Sequence, residues 1–202
     1  MRMFGRIAFS CAILALLAGS AWAQQQSMRV AGTVERLDGQ VLSIKSDKLG
    51  AVKVNLTADA AVFGVTKATI ADVKPGAFIG VGAIPQSDGS QRAIQVTVFA
   101  EVQRGQSEGH GPWSARPNST MTNATVAETV GGVDGQVVIV KYKDGEKKIV
   151  IPPDTVILAY AVGDRAELKP GAHVAIVRAL KKPDGSLETN RVNVGRGGVV
   201  PQ

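Results

Sequence analysis

Two histidines, His110 and His173, and one cysteine, Cys11, are all that this chain offers of the residues that most often ligate transition metals or pair as nucleophile and base. A zinc or copper site needs several nitrogen, sulfur or carboxylate donors that converge. Glu108 and His110 supply two, on a stretch rich in glycine and proline, and His173 occupies a position filled by Phe78 in the other half of the chain, where a barrel side chain belongs. No metal and no cofactor are expected. A Ser-His-Asp arrangement would have to use one of the same histidines, and no Gly-x-Ser-x-Gly elbow occurs. Asp144 and Glu146 fall in a hairpin loop, where carboxylates are solvated. Gly195-Arg196-Gly197-Gly198 follows a strand with no helix behind it to present amides to a phosphate. These residues do not predict an enzyme.

The most particular stretch is EGHGPWSARPNSTMTNATV, Glu108 to Val126. It holds one histidine, the only tryptophan beyond residue 23 and two prolines. His110, Trp113, Arg116, Asn118 and Asn123 are its candidates for contact with a ligand or an interface. Two readings stand. Trp113 fills a groove and the stretch is a strap, shaped by Gly109, Gly111 and Pro112; or the stretch is a ligand surface. A buried indole is a strong packing anchor. Trp113 is therefore expected mostly buried at a junction between two barrels, with His110 and Arg116 beside it.

The barrels come from an internal repeat. Val34-Glu35-Arg36-Leu37-Asp38-Gly39-Gln40-Val41 matches Val130-Gly131-Gly132-Val133-Asp134-Gly135-Gln136-Val137, Lys74-Pro75-Gly76-Ala77 matches Lys169-Pro170-Gly171-Ala172, and Asp88-Gly89-Ser90 matches Asp184-Gly185-Ser186. The anchors lie 95 or 96 residues apart and in one order. A fixed internal period is a sign of repeated units. Each copy reads strand, strand, strand, short helix, strand, strand. Asp-Gly suits a tight hairpin. Val52, Val54 and Leu56 alternate with polar neighbours, and Thr66 to Val73 predicts a helical turn or two, stopped by Pro75-Gly76. That order matches an OB-fold, a five-stranded Greek-key barrel. The expected fold is all-β: two tandem small five-stranded OB-like barrels, each with one short helix between strands three and four.

The chain's beginning predicts its compartment. Arg2 and Arg6 precede the apolar run Ile7 to Leu17, and Ala21-Trp22-Ala23 offers small residues for cleavage, so residues 1–23 read as a signal peptide. Phe9 stands where a lipobox at Cys11 would need a small residue. The mature chain would start near Gln24, lack cysteine, and lie in a periplasm or outside the cell. No other segment is apolar and long enough to span a bilayer as a helix. Removing Arg2 and Arg6 lowers the net charge from +6 to +4, and the remaining charges are interspersed. Base stacking by an OB-fold needs aromatic side chains on the second and third strands, where Tyr142 stands alone. Nucleic acid is not an expected partner.

Gly32-Thr33-Val34, Asp38-Gly39, Leu56-Thr57 and Val73-Lys74-Pro75-Gly76-Ala77, with their matches in the second copy, resemble an uncharacterised family of exported bacterial β-barrel domains. The resemblance covers most of residues 28 to 195. It implies export and an OB-like barrel, and supplies no catalytic residue. The expected organisation is a first barrel at 24–100, a connecting segment at 101–124, a second barrel at 125–195 and a flexible tail at 196–202. The expected function is a non-enzymatic binding or assembly module of the bacterial envelope, its partner an envelope protein or glycan. The alternatives are an accessory metal-handling or transport-associated periplasmic protein, and an OB-type binder of an anionic ligand or oligosaccharide.

Overall fold

The structure is a computed structural model that describes residues 26–132 and 135–201; the expected leader and the Asp134 half of the second Asp-Gly turn lie outside the described residues. Twelve strands are formed: β1 Ser27–Asp38, β2 Val41–Ser46, β3 Gly50–Lys67, β4 Phe78–Pro85, β5 Gln91–Val98, β6 Gly109–Pro112, β7 Thr120–Gly132, β8 Gly135–Tyr142, β9 Gly145–Ile151, β10 Val156–Val162, β11 His173–Lys181 and β12 Leu187–Gly195. Among the described residues there is no α-helix. The helix expected at Thr66 to Val73 is strand as far as Lys67, followed by one 3-10 turn at Ile70–Asp72, with an equivalent turn at Arg165–Glu167. Pro75 and positive-φ Gly76 leave no room for more.

Pairing closes two rings of five strands. In the first, β1 pairs with β2, β2 with β3, β3 runs parallel to β12, β12 pairs with β11, and β11 returns to β1. In the second, β7 pairs with β8, β8 with β9, β9 runs parallel to β5, β5 pairs with β4, and β4 returns to β7. Each barrel therefore draws three strands from one half of the chain and two from the other. The units at 24–100 and 125–195 predicted from the repeat are not the units of the sheet. The exchange shows in single bonds. Gly76 N–H donates to Val126 O at 2.8 Å, and Gly171 N–H donates to Val34 O at 2.9 Å; Val126 and Val34 return bonds to Ala77 and Ala172.

The two barrels are built alike. Leu42, Ile44, Val54, Leu56, Val174, Ile176 and Val192 fill the first, and Val138, Val140, Ile149, Ile151, Ile79, Val81 and Val96 hold the matching places in the second. The Asp88 carboxylate accepts from Ser90 N–H and Oγ–H as Asp184 does from Ser186. The first hairpin differs. Val34 pairs with Ile44, and Val126 with Val140, so the β7–β8 hairpin is longer. The sequence match of Val34 to Val130 thus misses the structural equivalence, which is Val34 to Val126.

The barrels meet along a seam of four strands in which β3 pairs antiparallel with β10, β12 lies beside β3 and β5 beside β10. Val62 to Val65 are buried on both faces, as a strand between two packed layers must be. Val65 faces Tyr160, its own counterpart in the other half, so an approximate two-fold axis passes through this pair. Residues 196–201 are not a loose tail. Val199 is 7% exposed and joins Val65 and Leu158 in a small core, and Pro201 is buried.

Candidate functional site

The connecting segment leaves β5, crosses the seam and then lies on the second barrel. Ile79, Val81 and Ala83 point into that barrel's core, so Gly80 and Gly82 face outward. Each glycine receives an aromatic ring. A Cβ on Gly80 would come within 2.8 Å of Phe99, and one on Gly82 within 2.5 Å of Trp113. The counterparts in the first barrel are Ala175 and Val177, and among the described residues no segment covers Val177, which is 56% exposed. Trp113 is thus half-buried against the outer face of β4 rather than mostly buried at the barrel junction. The part of the segment that does meet the seam is earlier: Phe99 packs edge-on against Tyr160, with centroids 5.8 Å apart.

From Gly109 the chain pairs with β7, His110 opposite Thr122 and Pro112 opposite Thr120. Pro112 removes a donor from this short edge strand. The turn between β6 and β7 is tight: Trp113 N–H donates to Ser119 O, and Ser119 Oγ–H to Arg116 O. Arg116 and Asn118 are exposed at its tip, Asn118 with φ of 54°. Asn123 faces outward beside Gly80, and its amide Nδ2 donates to Ser107 O at 3.0 Å. The five predicted contact residues therefore divide. Trp113 and Asn123 fasten the segment, Arg116 and Asn118 sit on a loop tip, and His110 alone takes part in a cluster that could bind.

That cluster lies where β8 turns into β9. His110 Nδ1 is 2.8 Å from Thr122 Oγ1, and its ring stacks on Tyr142 with centroids 6.4 Å apart. Tyr142 packs against the second core. Thr122 is fully buried, and it occupies the position that Val30 holds in the first barrel. A hydroxyl in an apolar position needs a hydrogen-bond partner, and His110 is that partner. Burial, and secondarily the charge of Lys147, hold His110 below its ordinary pKa, so the ring is neutral at neutral pH. Thr122 fixes Nδ1.

The seam carries a second cluster, outside the predicted stretch. The Arg191 guanidinium lies 4.6 Å from the Phe63 centroid and 5.7 Å from that of Tyr160. Its Nε–H donates to Asn193 Oδ1 and its Nη1–H to Gln106 Oε1, both at 3.3 Å. Burial raises the Tyr160 phenol, though Arg191 and Arg29 pull it the other way. Nearby, Arg196 spans Gly64 to make two bonds to Glu167, at 2.7 and 2.8 Å. Those bonds hold the Glu167 carboxyl at about 2. Among the described residues no group of three metal-ligating side chains converges.

Sequence reasoning missed Thr122, Lys147 and the seam. It weighed Tyr142 only as a base-stacking residue. The Gly80-x-Gly82 pattern inside a strand was a readable signal for close approach of another group. No family model, no curated protein and no solved structure matches the chain.

Proposed function

We propose that the chain is an exported, non-enzymatic binding or assembly module of the bacterial envelope, with its recognition surface at the β8–β9 end of the second barrel. The observation that carries this reading is His110, neutral and stacked on Tyr142, its Nδ1 held by a buried threonine beside Lys147. Two flat rings held by a closed barrel make a surface of low conformational freedom, which lowers the entropy lost on binding. An envelope protein or glycan is the partner class it suits. The strand order, with parallel closure of third and fifth strands in both rings, supports an OB-like reading of each barrel. The matching turns at Gly76 and Gly171 and at Gly89 and Gly185 support descent from a duplicated module. Export rests on the leader-like residues before Gln24.

The test is capture from an envelope extract by the mature chain and by a His110→Ala, Tyr142→Ala variant. A protein or glycan enriched by the first and lost with the second sustains the reading. Equal enrichment by both would move the surface elsewhere.

A further inference from the structure

The four ion pairs among the described residues are Arg36–Asp38, Arg104–Glu101, Lys182–Glu188 and Arg196–Glu167. Arg191, at the seam, is in none of them. Arg191 is half-buried. Burial pulls the Arg191 guanidinium below its ordinary value. Arginine remains charged all the same, and a partly desolvated cation without a counter-charge is costly. Aromatic faces and neutral oxygens offset part of that cost for Arg191.

The donors around Arg191 are not exhausted. Nε and Nη1 are used, and Nη2 has no acceptor among the described residues. The Tyr160 hydroxyl accepts from Asn193 Nδ2 at 3.4 Å, which leaves its own proton to donate. The fold itself does not demand this chemistry. Across the two-fold axis the positions of Arg191, Asn193, Tyr160 and Phe63 are taken by Gln95, Thr97, Val65 and Leu158, and the seam closes there without a charge. Nor is arginine at the seam unpaired as a rule, since Arg196 holds Glu167 by two bonds.

We propose that the seam between the barrels is an anion-binding site, in which Arg191 and the Tyr160 hydroxyl take a phosphate or carboxylate group. An oxyanion accepts from guanidinium N–H groups in its plane, and the Phe63 and Tyr160 rings hold the Arg191 plane in place. The site is separate from the His110 surface and does not depend on it.

Thermal unfolding of the mature chain against inorganic phosphate, and in parallel against acetate, tests this, with chloride at matched ionic strength as reference. The midpoint should rise saturably with at least one of the two anions, and the responding anion identifies the head group. Arg191→Gln gives this position the side chain that its counterpart Gln95 already carries at the seam, so it should fold, as checked by circular dichroism. It should weaken the apparent affinity at least tenfold; Tyr160→Phe should weaken it less, and His110→Ala not at all. If neither anion acts beyond chloride, or if Arg191→Gln responds as the parent does, Arg191 is a packing residue and the proposal falls.

Discussion

The two barrels have matching interiors and different coats. Leu42, Ile44, Val54 and Leu56 in one correspond to Val138, Val140, Ile149 and Ile151 in the other. Outside, the first barrel shows Val177 to solvent, where the second has Gly82 under Trp113. At the matching place on the opening strand, the first barrel buries Val30 and the second buries Thr122, which holds His110. The common part is what closing a barrel requires. The unshared part lies along the connecting segment and the seam, and all the candidate chemistry lies there.

The largest expected effect tests the common part. Leu56 and Ile151 are equivalent and each is 1% exposed. Leu56→Ala and Ile151→Ala should each destabilise by about 2–5 kcal/mol. Because each barrel contains strands from both halves and the two share a seam, chemical denaturation should show a single transition in both variants. Two separated transitions in either would mean that the barrels unfold independently.

A smaller effect separates the coats. Trp113 is half-buried, so Trp113→Ala should cost about 1–2 kcal/mol, less than a fully buried tryptophan. Gly82→Val, which installs the residue of the other barrel, should cost a similar amount because the new side chain strikes the indole. The double variant should cost little more than Trp113→Ala alone, since removing the ring removes the clash. Additive losses in urea melts would show that Gly82 is needed for something other than Trp113.

Much of this architecture was legible. Asp88-Gly89-Ser90 and Asp184-Gly185-Ser186 marked equivalent turns, and Val52 to Leu56 alternated as a half-buried strand does. What could not be read was which half supplies the closing strands. Alternation reports which face of a strand is apolar and says nothing of its neighbour. The connections from β3 to β4 and from β10 to β11 have the same number of residues, so local sequence does not distinguish return to the same barrel from crossing to the other. One hint was available: Val62-Phe63-Gly64-Val65 breaks the alternation, as a strand covered on both faces does. For the site, position in sequence drew attention to Trp113 and Arg116. The contacts of His110 with Thr122 and Tyr142 come from the pairing of β6 with β7 and of β7 with β8.

The smallest expected effect decides between halves and barrels. Ala115 to Asn118 form an exposed tip between β6 and β7. A protease site placed there cuts the chain into a piece carrying β1 to β6 and a piece carrying β7 to β12. If each half closed its own barrel, the pieces would be held only by the contact between two finished barrels. In the exchanged arrangement, parting them means breaking β1–β11, β3–β12, β4–β7 and β5–β9, which opens both rings and exposes both cores. The cut protein should therefore elute from a sizing column at the volume of the intact chain, and should yield two fragments only in denaturant. Its melting temperature should become dependent on protein concentration, because unfolding now releases two chains. Fragments that separate in native buffer would show that each half closes on itself, and the comparison of the barrels would become a comparison of the halves.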